Sequence, residues 1–326
     1  MASCDAGPEA GMYHREEHIM RVCLMVEGQE GVTWPQWLEL ARACEETGLD
    51  GLFRSDHYTG FFRAEGGALD AWATLSALAA RTERIRLGTL VSPATFRHPS
   101  VLARNAVTVD HVSNGRVELG IGGGWHEQEH RQHGFEFGDV KWRLELFAEQ
   151  LEIVHRQLNE DEPFDFRGRH FTLEGCNARP KPVQRPLPIL VGGSAKSGTA
   201  RPAVRFATEY NTTFASPDEC RERRARLDRF CEEAGRDPTT LPLSVMTTCV
   251  VGRDRAELER RVRQVAEITG REPAPNGYVV GTVDEVVTRL RELERAGVTR
   301  VMLQHLAHED VEMVELLGRE VAPAVS

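Results

Sequence analysis

Apolar residues along this chain follow two rhythms that take turns: a short alternation of period two, and a longer stripe recurring every three or four residues. Met20 to Val26 shows the first, with Val22, Leu24 and Val26 alternating, and predicts a strand. A helix follows, where Thr33 can cap, Pro35 suits the first turn, and Trp34, Trp37, Leu38, Ala41 and Cys44 share one face before Gly48. Leu49 to Phe53 returns to strand character. Ile85 to Val91 predicts another strand, Pro99 opens a helix running to about Val112, and Val117 to Ile121 is a strand again. Leu144, Phe147, Leu151, Val154 and Leu158 mark a long amphipathic helix, and Pro188 to Val191 is a short apolar strand ending in Gly192-Gly193. Later strands are predicted at Ala207 to Thr213, Leu243 to Val251 and Arg300 to Leu303. Between the last two, Thr282 and Glu285 form a capping box for a helix carrying Val286, Leu290 and Leu293, stopped by Gly297.

About eight strands alternating with helices, with no break in composition between the halves, predict an α/β fold: a TIM-like (β/α)8 barrel in preference to a doubly wound sheet. Residues 1–19 read as a polar leader and 20–326 as one barrel domain. An insertion between the fourth and fifth strands, about 159–187, departs from the rhythm. It holds a hairpin over Phe164 to Leu173 around Arg167-Gly168-Arg169, then an extended return through Pro180, Pro182, Pro186 and Pro188.

Composition narrows the function classes. A formal charge of -10 speaks against a nucleic-acid surface, which needs clustered bases. No apolar run reaches the roughly 18 residues that span a bilayer, and Met1 to Met20 has no signal-peptide core, so a cytoplasmic protein without membrane contact is expected. The 7 cysteines include no C-x-x-C pair, which suits reduced thiols better than a disulfide framework or a zinc site.

In a barrel the chemistry gathers where strands end, which singles out Glu27, Asp56-His57, Ser92, Gly122 to Trp125, Gly192-Gly193-Ser194 and Gln304-His305. His57 can move a proton near neutral pH with Asp56 orienting its ring; the alternative is a hydrogen-bonded structural histidine. Gly122, Gly123, Gly192, Gly193 and Ser194 offer backbone N–H groups to a phosphate, or serve only tight strand-to-helix turns. Trp125 stands where a dinucleotide fingerprint wants glycine or alanine, and no P-loop lysine follows. His126-Glu127-Gln128-Glu129-His130 spells the H-E-x-x-H zinc motif. It follows a glycine loop, its x positions are polar and His133 does not fit as a third ligand, so it is taken as coincidence and no metal is expected.

Leu87-Gly88-Thr89-Leu90-Val91, Phe96-Arg97-His98-Pro99, and the run from Asp110 through Gly122-Gly123-Gly124-Trp125 together resemble the luciferase-like monooxygenase superfamily. So do Arg185 to Ser194, Val280 to Glu285 and Ala296 to Val301; the Asp56-His57 pair is most similar to the branch that uses the 5-deazaflavin F420. The resemblance implies a barrel with an insertion and a cofactor whose phosphate lies in the glycine loops. It also implies a non-prolyl cis peptide near Leu90-Val91 that supports the ring, and, by family habit, a homodimer. The implied reaction is hydride transfer between F420 and a small organic substrate, with His57 and Asp56 handling the proton. An FMN-dependent monooxygenase is the alternative; a non-catalytic flavin-binding protein and a zinc hydrolase stand further off. Some family members place an acidic group where this chain has Trp125, which argues against a sugar-phosphate substrate. Glu27, Tyr58, Phe61, Phe62, Phe96, Trp125 and Gln304 are the expected pocket, apolar or aromatic in character. Arg97, Lys196 and Arg201 are expected to meet the oligoglutamate tail of F420.

Overall fold

A computed structural model of the chain describes residues 20–63, 66–273 and 278–326, so the leader lies outside the described residues. Eight parallel strands close on themselves: β1 (Arg21–Val26), β2 (Gly51–Arg54), β3 (Arg86–Thr89), β4 (Val117–Gly122), β5 (Ile189–Gly192), β6 (Glu209–Thr213), β7 (Leu243–Gly252) and β8 (Val298–His305). Each pairs with its neighbour in sequence, and β8 returns to β1 with Arg21 opposite Arg300 and Val26 opposite His305. This is the TIM-like (β/α)8 barrel the alternation predicted, and no helix among the described residues is long and apolar enough to cross a membrane.

Helices α1 (Trp34–Glu45), α2 (Ala71–Ala79) and α3 (Pro99–Val112) follow the first three strands. After β4 come α4 (Glu127–His133) and α5 (Val140–Asn159), then α6 (Ser197–Phe206), α7 (Pro217–Glu233), α8 (Arg255–Thr269), α9 (Val283–Arg295) and α10 (Val311–Leu316). The insertion folds as a hairpin of Phe164–Arg167 against Thr172–Cys176. It is tied to α5 by the Glu149 carboxylate, which accepts from the N–H groups of Arg169, His170 and Phe171. A strand the rhythm did not reveal, Val279–Thr282, lies beside the overhanging end of β7.

Strand alternation sorts the side chains into two cores. Val22, Leu24, Val26, Leu87, Val117, Val191, Val245, Val301 and Leu303 face the helices in one continuous cluster. Cys23, Met25, Phe53, Leu90, Leu190, Met246 and Met302 fill the barrel interior. Below them the floor is charged. Arg300, 1% exposed, donates to both oxygens of Glu118 at 3.0 and 2.8 Å and to Glu209 at 3.1 Å, with its guanidinium 5.2 Å from the Phe53 ring. These residues stand at the starts of β8, β4 and β6, so the plug seals the N-terminal end and leaves the C-terminal end open for ligand.

Candidate active site

The open end of the barrel holds a cavity of about 870 Å³, large enough for a cofactor and a substrate together. Its lining includes the apolar Met25, Leu90, Val91 and Met246, the glycine-loop residues Gly122, Gly123, Gly192 and Gly193 with Thr199, and the aromatic His57, Phe61, Phe62, Trp125 and His126. The Leu90–Val91 peptide is cis, at the position the resemblance implied. Gly123 leaves real space: a β-carbon there would meet nothing nearer than Leu144 Cδ2 at 3.8 Å.

His57 is held by a residue that sequence reasoning dismissed. Its Nδ1 lies 2.8 Å from Oε2 of Glu129, a carboxylate with no solvent exposure, and the second oxygen of that carboxylate accepts the N–H groups of Tyr58 and Thr59. Burial pushes the His57 imidazole down, but the hydrogen bond and charge of Glu129 outweigh it and raise its pKa above the ordinary histidine value. Glu129 moves in the complementary direction, below the usual carboxylate range, because the pairing with His57 and the two N–H groups overcome its burial. With Nδ1 engaged, Nε2 is the nitrogen left for a ligand.

Asp56 does not orient His57, and it is corrected here. Ser55 and His57 line the cavity, so the residue between them points the other way. Its carboxylate, 2% exposed, accepts from Ser92 Oγ at 2.6 Å and from Arg97 at 2.6 and 3.2 Å, tying the loops after β2 and β3 together. Arg97 is thereby spent on Asp56 and Asp70 and is not available to a cofactor tail. Arg201 pairs with Glu233 at 2.9 Å, while Lys196 stays exposed at the start of α6. Ser194 is exposed and lies off the cavity wall, whereas Thr199 is on it.

Tyr58 and Phe96 are corrected as well. They stack with Phe135, His130 and His133 at centroid distances of 4.6 to 5.4 Å in a cluster behind the pocket that clamps α4 onto the β2 and β3 loops. Phe61 and Trp125 do reach the cavity, 5.4 Å apart, and with His57 and His126 they form its aromatic wall. Trp125 is 64% exposed and faces the mouth, where Phe214 and Tyr278 form a second ring pair 5.7 Å apart.

Glu27 and Gln304 also line the cavity, joined by a 2.5 Å bond from Gln304 Nε2. Gln29 donates to the other Glu27 oxygen at 2.9 Å, and Thr248 donates to Gln304. Amides thus satisfy this buried carboxylate. Arg271 is the one arginine on the cavity wall among the described residues, beside Tyr278. His126, Thr199, Asn211, Phe214, Arg271 and Tyr278 escaped the sequence reading; His126 and Glu129 alone carried a visible signal, the zinc-like motif. That motif does not assemble, since His130 is buried with Nε2 on Thr95 Oγ1 at 2.6 Å and Nδ1 on the His126 carbonyl at 2.7 Å.

Comparison with known proteins agrees with this geometry. An F420-dependent glucose-6-phosphate dehydrogenase of Microbacterium testaceum is 28% identical over 312 residues, 88% of this chain and 92% of that one. Among solved structures, an F420-dependent secondary alcohol dehydrogenase in complex with an F420-acetone adduct superposes with a TM-score of 0.80 at 21% identity, covering 94% of this chain and 99% of that one. The oxygenating constituent of 3,6-diketocamphane monooxygenase from Pseudomonas putida, in complex with FMN, reaches 0.75 at 20% identity, over 94% and 99%. The profile of the luciferase-like monooxygenase family matches residues 19–276. The chain therefore belongs to the luciferase-like monooxygenase family of oxidoreductases.

Proposed function

We propose that this protein is an F420-dependent oxidoreductase acting on an uncharged alcohol or carbonyl compound with an apolar or aromatic body. The observation that carries the reading is the His57–Glu129 pair beside a cavity that the glycine loops also line. F420 bound there supplies a two-electron hydride acceptor or donor. Gly123 leaves room for its phosphate, with Gly122 and Gly193 beside it on the cavity lining, Leu90, Val91 and Met246 present an apolar bed for its ring, and Arg271 on the cavity wall and the exposed Lys196 are the bases offered to its acidic tail.

The chain's own contribution is proton handling and exclusion of water. His57 Nε2 takes the hydroxyl proton of an alcohol, or returns it to a nascent alkoxide, while Glu129 holds the ring's orientation and stabilises its charged form. Phe61 and Trp125 cover the reacting centre and keep water from it. A wall where amides bond the carboxylate of Glu27, with its arginine beside Tyr278, offers no buried cation to a substrate phosphate. An FMN-dependent monooxygenase is the second reading, favoured by the FMN-bound relative of the same fold.

Titration of F420 and of reduced FMN into the purified apoprotein at low salt decides between them. Saturable F420 binding that weakens as salt rises, and weakens further in Lys196→Glu, is expected. Tight binding of reduced FMN with oxygen-dependent product formation, and no F420 binding, would overturn the reading. His57→Ala should keep cofactor affinity and lose turnover, as a protein that only binds the cofactor would have no turnover to lose.

A further inference from the structure

The letters of the zinc motif misplace their own site. His130 turns away to Thr95, yet the motif's first histidine and second glutamate meet His57 from another strand end. We propose that His57, His126 and Glu129 form a binding site for a borderline divalent transition-metal cation such as zinc, and that the loaded site inhibits the enzyme.

The three donor atoms all lie within 4.8 Å of one another. Glu129 Oε2 is 2.8 Å from His57 Nδ1 and 3.8 Å from His126 Nδ1. The other oxygen is occupied by the Tyr58 and Thr59 N–H groups, which fix the carboxylate so that Oε2 faces both rings. Such outer support is how metal sites orient their ligands. His126 Nδ1 is buried and makes no hydrogen bond within the described residues, a cost the fold carries without return unless something else approaches that nitrogen.

At metal–ligand distances of about 2.0–2.2 Å, donors on a tetrahedron stand roughly 3.3 Å apart. His126 sits at the start of the short helix α4 without a side-chain capping hydrogen bond, so its ring is not committed there. His57 and His126 both line the cavity, which puts the cluster at its edge. Two imidazoles and one carboxylate suit Zn²⁺, Ni²⁺ or Cu²⁺ and do not suit Mg²⁺ or Ca²⁺, which prefer oxygen donors throughout.

The cation takes the Nδ1 position from the hydrogen shared with Glu129, and the neutral ring then carries that hydrogen on Nε2. A metallated ring of this kind accepts no proton at Nε2. The site itself stands on geometry; its inhibitory effect rests on His57 as the proton-transfer group proposed above.

Calorimetric titration of the metal-free full-length chain with Zn²⁺, in buffers of different ionisation enthalpy, tests this, with Co²⁺ absorption as a second readout. One Zn²⁺ per chain, a tetrahedral Co²⁺ spectrum that Zn²⁺ abolishes, and no response to Mg²⁺ are expected. His126→Ala should weaken binding by about tenfold or more, while Glu127→Gln, on the exposed side of α4, leaves it unchanged. If His126→Ala fails to fold by circular dichroism, His126→Gln supplies the same comparison. The proposal falls if there is no saturable Zn²⁺ heat and no Co²⁺ spectrum, or if His57→Ala and His126→Ala bind Zn²⁺ as tightly as the parent chain. F420 binding by a chain that fails to take Zn²⁺ sinks this inference alone; Zn²⁺ binding by a chain that ignores F420 sinks the cofactor reading alone.

Discussion

At the scale of the residue, His57 owes its properties to its partner. Glu129 raises its pKa, against the burial that would lower it. Glu129→Gln preserves the acceptor for the Tyr58 and Thr59 N–H groups but removes the charge that favours imidazolium. His57 should therefore titrate lower, and the limb of the kcat/KM profile that it sets should move to lower pH, with kcat down by about tenfold or more. A pH–rate series on both proteins checks this. An unmoved limb would make Glu129 a structural anchor for the loop and nothing more. The Asp56 carboxylate, engaged by Ser92 and Arg97, belongs to that structural category.

At the scale of the element, the two glycine loops are not equivalent. A β-carbon at Gly193 would press on the Tyr210 hydroxyl and lie 2.7 Å from Thr199 Oγ1, whereas at Gly123 its only neighbour is Leu144 at an ordinary contact distance. Gly123→Val should weaken cofactor binding by about tenfold or more while holding stability within roughly 0.5 kcal/mol. Gly193→Val should lose both affinity and thermal stability, since Tyr210 and Thr199 are themselves hydrogen-bonded at 2.6 Å and cannot both retreat. Paired ligand titrations and thermal melts separate the two. Equal losses of stability at both positions would assign both loops to turn geometry alone.

At the scale of the whole molecule, acid should unfold the barrel in two stages. His305 and His308, buried where β8 meets the loop above it, have their pKa values lowered to about 4 and about 3, burial being the main cause. Asp310, Glu309, Arg261 and Arg63 surround them. The folded chain refuses protons that the unfolded chain accepts below about 6.5, so stability falls as pH drops from there, by about 1.4 kcal/mol per unit for each histidine until its folded pKa is reached. Glu118 acts later. Burial would raise its pKa, but Arg300 and Arg86 bring it down to about 2, so its contribution is present above the ordinary carboxylate range and lost as pH falls toward 2. Denaturant melts between pH 7 and pH 4 should show the first slope, and the double variant His305→Gln/His308→Gln should flatten it. An unchanged slope would place the acid sensitivity elsewhere.

The alternation of strands with helices, the barrel and the hairpin insertion were legible in local pattern, because period and turn residues are properties of neighbours in the chain. Thin signals were lost: α7 buries only Cys220, Leu227 and Cys231 among its charges, and α4 reads as a polar loop until its tertiary contacts hold it. What only the tertiary structure decided was which way each strand-end residue points. Consecutive residues face opposite sides of a strand, so Ser55 and His57 enter the cavity and Asp56 leaves it, an outcome set by how the sheet closes. The partnership of His57 with Glu129 is likewise long-range. It joins the end of β2 to a helix after β4, and no spacing within the chain encodes a hydrogen bond between loops that closure of the barrel brings side by side.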